Sequence, residues 1–323
     1  MSATPTPHST ETSAKPNRAA RILAIGGGKG GAGKTVFTSN LCVQLAASGR
    51  RVILLDADLG GANAHTVLGV PPPLVTLTDF VKKRSLLEDI AINTPFPNLR
   101  LIAGALHDVN AANPAHQQKM RLLRHLSTLE CDDLVIDLGA GTGYNIVDFF
   151  LTADVPIVVV QPEPTSVENA YRFLKAAYVR RLRAVQRVFK IKGLLDSILL
   201  EGKRNIHTPA DLVRAIGDQD PEMGQQVTDL MRSFVPHLVV NQVQHTPGST
   251  DGLVARDMAS ACRRFFGIDL KELGQLPADD AVKRSVRSRV PFCVDSPDAE
   301  VTKALSGITQ KLLVEDFAKG QDA

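Results

Sequence analysis

The chain has only four cysteines, Cys42, Cys131, Cys262 and Cys293, and no two of them form a CxxC pair. That scarcity excludes a disulfide framework or a cysteine-built metal site as the source of stability. An excess of either charge is also missing. Lys and Arg number 37 against 34 Asp and Glu, and a net charge of +3 is too small to mark the whole chain as a polyanion binder. Long apolar runs are absent as well. The longest clean one, Val155–Val160, is itself interrupted by Pro156, whereas a membrane-spanning helix needs ~20 apolar residues. A helical membrane span is excluded. No apolar signal-peptide core stands near the start, so reduced thiols in a cytoplasm are the expected setting. What is present is ordinary for a globular protein: 44% hydrophobic and 22% charged residues. A chain of 323 residues buries roughly three quarters of its surface on folding, so its core suffices without staples.

Residues 1–20, MSATPTPHSTETSAKPNRAA, are rich in Ser, Thr, Pro and Ala without hydrophobic period and read as a disordered tail. A single domain is expected over 21–318, followed by a short tail at 319–323. Within it, short runs apolar on both faces recur at Ile22–Ile25, Val52–Leu55, Leu99–Ala103, Leu134–Asp137, Val155–Val160 and Leu238–Val240. Helix-like stretches such as Lys34–Ala47 separate them. The alternation predicts an α/β fold, a mostly parallel sheet with helices on both faces. From Ser166 to about Val235 only helical periodicity appears, so a helical insertion is expected at about 166–235. Between Glu168 and Asp196 that segment is basic, with Arg172, Lys175, Arg180, Arg181, Arg183, Arg187, Lys190 and Lys192.

The most informative segment is Gly28-Lys29-Gly30-Gly31-Ala32-Gly33-Lys34-Thr35, followed by Val36. It satisfies G-x-x-x-x-G-K-[ST] between an apolar strand and a helix, the context that a phosphate-binding loop requires and the mark of a P-loop NTPase. Glycines permit positive φ and let successive N–H groups approach phosphate oxygens, and the following helix adds its positive end. Lys34 is placed to reach the β- and γ-phosphates and the Thr35 hydroxyl to coordinate Mg²⁺. Two carboxylate-bearing strand ends follow. Asp56-Ala57-Asp58 closes the second strand, and Val135-Ile136-Asp137-Leu138-Gly139 has the Walker B form. In a doubly wound sheet such ends line the ligand crevice. Asp137 then faces Mg²⁺, and Gly139 lets its N–H approach the γ-phosphate. Read alone, Asp56 and Asp58 are better taken as turn residues capping a helix.

The extra lysine makes this loop K-G-G-x-G-K-[ST], which resembles the deviant Walker A signature of the MinD/ParA superfamily. The resemblance runs from about residue 20 to residue 315. It implies that Lys29 reaches across a nucleotide-sandwich homodimer to the partner's phosphates, acting like an arginine finger in trans, where the plain alternative is a solvent-facing lysine. It also implies that Asp58 orients the attacking water, that Asp56 supports the Mg²⁺ shell, and that Asn63 sits at the dimer face. By the same resemblance Asn241 contacts adenine and the Leu276–Asp280 turn, with Pro277 and Asp279, closes over the base. The alternative for Asn241 is a residue that simply ends a strand. ATP and Mg²⁺ are the implied cofactors. DADLGGAN at Asp56–Asn63 and QPEPTS at Gln161–Ser166 are similar to the flagellar-number regulators of the FlhG or YlxH group rather than to partition ParA proteins. Residues 1–20 do not resemble that group's N-terminal segment, and the basic helical stretch exceeds the usual core.

The implied function is an ATPase whose hydrolysis drives reversible dimerisation, a MinD/FlhG-like spatial regulator of flagellar number, division site or cargo position, with a protein effector. A ParA-type nucleoid-binding partition ATPase and an ATP-gated scaffold with negligible hydrolysis are the alternatives. An iron–sulfur carrier ATPase would need cysteines near Leu138–Gly143 or a C-terminal CxxC; the first holds none, and Cys293 has no near neighbour. DNA or the inner membrane face enters as a partner through Arg172–Lys192 or the last helix, roughly Ala299–Ala318. The alternatives are a solvated helix face and a helix packed on the domain, favoured for the last helix by Glu315 and Asp316.

Overall fold

The computed structural model describes residues 20–58, 61–82, 84–104, 116–126, 128–189, 208–244 and 249–321. The disordered tail expected at 1–20 falls outside these residues up to position 19. So do Leu59 and Gly60, residues 190–207 with Lys190 and Lys192, and positions 322–323.

The strands are β1 (Arg21–Gly26), β2 (Val52–Asp56), β3 (Ile92–Asn93), β4 (Leu99–Ile102), β5 (Asp133–Asp137), β6 (Val155–Val160), β7 (His237–Val243) and β8 (Lys271–Pro277). They form one eight-stranded sheet in the order β3-β4-β2-β5-β1-β6-β7-β8. Every pairing is parallel except that of β3 with β4. The six strands expected from apolar runs are all present within a residue or two at most ends, while β7 continues to Val243. The two edge strands carry no such run. The first is two residues long, and β8 buries only Leu273 and Leu276. A strand with one covered face and polar neighbours gives no continuous apolar signal.

Alternation along each strand builds two cores. Leu23, Ile25, Leu54, Ile157 and Val159 face one layer of helices, whereas Ala24, Ile53, Leu55, Val158 and Val160 face the other. The first layer holds α1 (Lys34–Ala47), α2 (Ala64–Val67), α10 (Asp280–Ser288), α11 (Phe292–Asp295) and α12 (Glu300–Gln321). Opposite lie α3 (Leu77–Val81), α4 (His116–Leu126), α5 (Tyr144–Leu151), α6 (Pro164–Val188), α7 (Pro209–Gln219), α8 (Pro221–Arg232) and α9 (Val254–Phe266). Among the described residues no strand lies between β6 and β7. Instead α6 runs for 25 residues and α7 with α8 forms a helical hairpin, within the stretch where only helical periodicity is expected.

The last helix is docked, not free. Val301, Leu305, Ile308 and Leu312 are buried. Arg21 Nη1 donates to the Leu312 carbonyl at 2.6 Å, and Lys311 Nζ donates to the Leu273 carbonyl at 2.7 Å. The helix reaches Gln321, so positions 319–321 are helical where a tail is expected. At this amino-terminal edge of the sheet Asp133 is fully buried and gripped by both Arg21 and Arg50.

Candidate functional site

Five parallel strands, β2, β5, β1, β6 and β7, bring their carboxyl ends to one edge, and nearly all of the sequence-identified groups stand there. The phosphate-binding loop leaves β1, the central strand, and enters α1 through Gly33 at φ 84°. No side chain caps α1, and its first turn has no acidic residue. Its leading N–H groups are thus left for an anion, together with the positive end of the helix. Gly28 is dictated by space as much as by flexibility. A Cβ there would run into the Asn169 carbonyl on α6, closer than any van der Waals contact. Lys34 is buried, and its Nζ donates to the Lys29 carbonyl at 3.1 Å. Burial lowers its pKa while the nearby Asp137 and Asp58 charges oppose the fall.

Asp56 and Asp137 end adjacent strands in direct register. Both are buried. Burial raises the Asp137 carboxyl to about 7, and the charge of Asp56 adds to the rise. Burial likewise lifts Asp56 to about 6, against N–H groups of Ala64 and Asp58 that favour its charged form. The Ala64 N–H donates to Asp56 at 3.0 Å and the Asp58 N–H at 3.1 Å. Thr38 Oγ1 donates to Asp137 at 3.2 Å, and Thr35 also bonds this carboxylate. Two buried carboxylates with a threonine hydroxyl between a lysine and an open helix end fit Mg²⁺. Oxygen donors suit this hard cation, which takes few protein ligands and keeps water and phosphate for the rest. Among the described residues no group of three or more His, Cys, Asp or Glu residues could by itself hold a metal ion.

Asp58 sits beside Gly139, where an added Cβ would lie 3.2 Å from the Asp58 carboxyl. Asn63 is exposed, and its Nδ2 donates to the Gly61 carbonyl at 2.6 Å. Lys29 is 40% exposed, and its Nζ lies 3.4 Å from Glu163 Oε2 and 3.2 Å from Thr165 Oγ1 of the same chain. Asn241 touches the loop, donating from Nδ2 to the Ala32 carbonyl at 2.9 Å. Pro277 and Asp279 stand further out, at the end of the edge strand. Asp279 is the N-cap of α10, accepting from the Ala281 N–H at 2.8 Å.

Sequence reasoning did not place four neighbours of this site. Gln161 donates to the Gly31 carbonyl at 3.5 Å, Glu163 and Thr165 hold Lys29, and Thr38 joins Asp137. Thr38 lies one turn beyond Thr35, so helical spacing alone could have found it. The other three belong to the QPEPTS segment, and only the sheet brings β6 beside β1.

The basic stretch divides into engaged and free-facing cations. Arg180 makes a bidentate pair with Asp148 at 2.7 and 2.9 Å and covers the Tyr144 ring. Arg181 donates to the Leu230 carbonyl at 2.7 Å and to Ser233 Oγ at 2.7 Å, above Phe234. Arg172 bridges Glu168 one turn back. Lys175, Arg183 and Arg187 face outward. Among the described residues no helix is long and apolar enough to cross a membrane.

Comparison with known proteins gives a consistent answer. The family model of the CobQ/CobB/MinD/ParA nucleotide binding domain matches residues 23–292. The antiactivator FleN of Pseudomonas aeruginosa is 38% identical over 294 residues, 90% of this chain and 86% of that protein. The septum site-determining protein MinD of Helicobacter pylori is 30% identical over 153 residues, 47% of this chain and 56% of that protein. In architecture the chain is similar to MinD of Pyrococcus horikoshii, solved with Mg-ADP. The TM-score is 0.61 at 20% identity, with 91% of this chain and 96% of that one covered. Matched over most of its length by the family model and by FleN, the chain belongs to the CobQ/CobB/MinD/ParA nucleotide-binding family.

Proposed function

We propose that the chain is a MinD/FlhG-like ATPase that binds ATP with Mg²⁺, dimerises in that state and releases its partners after hydrolysis. The observation that carries this reading is the buried Lys34, at the uncapped start of α1, near the charge of Asp137, whose carboxylate stands in register with that of Asp56. Two adjacent carboxylates in a dry site are costly unless a cation shares them.

The glycine loop Gly28–Gly33 and the N–H groups at Thr35 and Val36 bind the phosphates, and Lys34 holds the β- and γ-oxygens. Thr35, Asp56 and Asp137 would hold Mg²⁺, whose charge offsets that developing on the phosphates. Asp58 orients the attacking water, beside a Gly139 whose N–H faces the γ-phosphate. In this reading Lys29 leaves Glu163 and Thr165 and completes the pocket of a second copy, the deviant Walker A device. Such a cation in trans stabilises the transferring phosphoryl group and ties turnover to assembly. Asn241, Pro277 and Asp279 border the base. A few kcal/mol of differential contact with the γ-phosphate suffices to reverse a monomer–dimer population.

The reading extends to a protein effector and to an anionic surface, DNA or the inner membrane face, met through Lys175, Arg183 and Arg187 or through the last helix. The complex of FleN-like sequence and MinD-like fold supports spatial regulation, with the cytoplasm as its setting. Steady-state hydrolysis and size exclusion test the core of it. Wild type should hydrolyse ATP and form an ATP-dependent dimer. Asp58→Ala should dimerise without turnover, and Lys29→Ala should bind ATP as a monomer. Binding and dimerisation without turnover under any condition, with or without DNA and anionic liposomes, would favour the gated scaffold. An ATP-dependent dimer of Lys29→Ala would remove the trans lysine.

A further inference from the structure

Asn241 is expected to read the base, yet its side chain is held at both ends by the protein. Nδ2 donates to the Ala32 carbonyl at 2.9 Å, and Oδ1 accepts from the Gln242 N–H at 3.0 Å. The two bonds fix the amide's orientation, since a flipped amide would oppose oxygen to a carbonyl and N–H to N–H. Gly33, at φ 84°, has no room for a Cβ because Nδ2 occupies that space. The backbone is strained and irregular immediately beside this contact. Gln242 is a non-glycine residue at φ 62°, and the pairing of β7 with β8 slips between Asn241 and Val243. Gln242 itself is exposed, so packing of its side chain does not account for the strain.

We propose that Asn241 is a positioning residue for the phosphate loop, clamping Ala32 and Gly33 immediately before Lys34. An amide offers two N–H groups and two acceptor sites, and one of each is committed. The remaining pair can meet the N6 and N7 edge of adenine, so one side chain senses the base and sets the loop that grips the phosphates. The inference rests on the nucleotide-binding reading and deepens it.

A ligand without a base separates the two roles. Titration calorimetry with Mg-tripolyphosphate and with Mg-ATP is the experiment, on wild type and Asn241→Ala, with the thermal midpoint of each protein as the folding control. The expected result is that Asn241→Ala weakens tripolyphosphate by about five-fold or more, the size of one lost hydrogen bond, and weakens ATP at least as much. Loss confined to ATP, or no loss for either ligand, overturns the positioning role. If Asn241→Ala does not fold, Asn241→Asp carries the same test, since it keeps the acceptor for Gln242 and removes the donor to Ala32. Wild type that binds no ATP would instead overturn the nucleotide reading beneath the inference.

Discussion

Asp56 and Asp137 stand side by side at the ends of β2 and β5, both buried, and burial pushes each carboxyl toward the neutral form, with the charge of Asp56 adding to the rise at Asp137. In the free protein this pair opposes folding at neutral pH. A carboxyl whose folded pKa is raised contributes stability below its unfolded value near 4, and that contribution is lost as pH rises through the folded values of about 6 and 7. The nucleotide-free protein should therefore lose stability between pH 4 and pH 8. Asp137→Asn should recover about 2 kcal/mol at pH 8. Saturating Mg-ATP should flatten the profile of the wild type. Urea denaturation at both pH values, with and without ligand, checks each of these; a flat profile for the free wild type would contradict the electrostatic account.

Gly28→Ala should fail for steric reasons separate from chemistry. Its new methyl would meet the backbone carbonyl of Asn169, which cannot swing aside as a side chain would. We expect about 2 kcal/mol or more of lost stability together with lost ATP binding. Equilibrium unfolding and calorimetry measure the two effects. Unchanged stability would show that α6 yields at this point.

Asp133→Ala should cost about 3–5 kcal/mol, because it strands Arg21 and Arg50 around an empty site in the sheet. Arg21 also ties β1 to the Leu312 carbonyl, so α12 should loosen as well. Hydrogen exchange of α12 should rise, while nucleotide affinity stays within a few-fold, since this cluster lies at the opposite end of the strands.

Among the cations of α6, position decides the outcome of charge reversal. Arg180→Glu should lower stability by about 2 kcal/mol by facing Asp148 with a like charge. A combined reversal of Lys175, Arg183 and Arg187 should leave stability nearly unchanged. If α6 meets DNA or anionic lipid, that triple variant should lose salt-sensitive co-sedimentation. Retained co-sedimentation would leave these residues a solvated helix face.

The phosphate loop, the two carboxylate strand ends and the parallel sheet were legible from residue order, because each is a local pattern. A buried strand needs continuous apolar residues, and a loop wrapped on phosphate needs glycines followed by a lysine. The edge strands β3 and β8 were not legible, since a half-covered strand has little to distinguish it. The partners of the site residues escaped for a different reason. Glu163 and Thr165 lie more than a hundred positions from Lys29, and Asn241 lies farther still from Ala32. The chemistry of this chain was therefore written in short segments of sequence. Which side chains orient those segments, and which described cations of α6 are engaged by the protein itself, was decided only when strand order and helix packing brought distant residues within hydrogen-bonding distance.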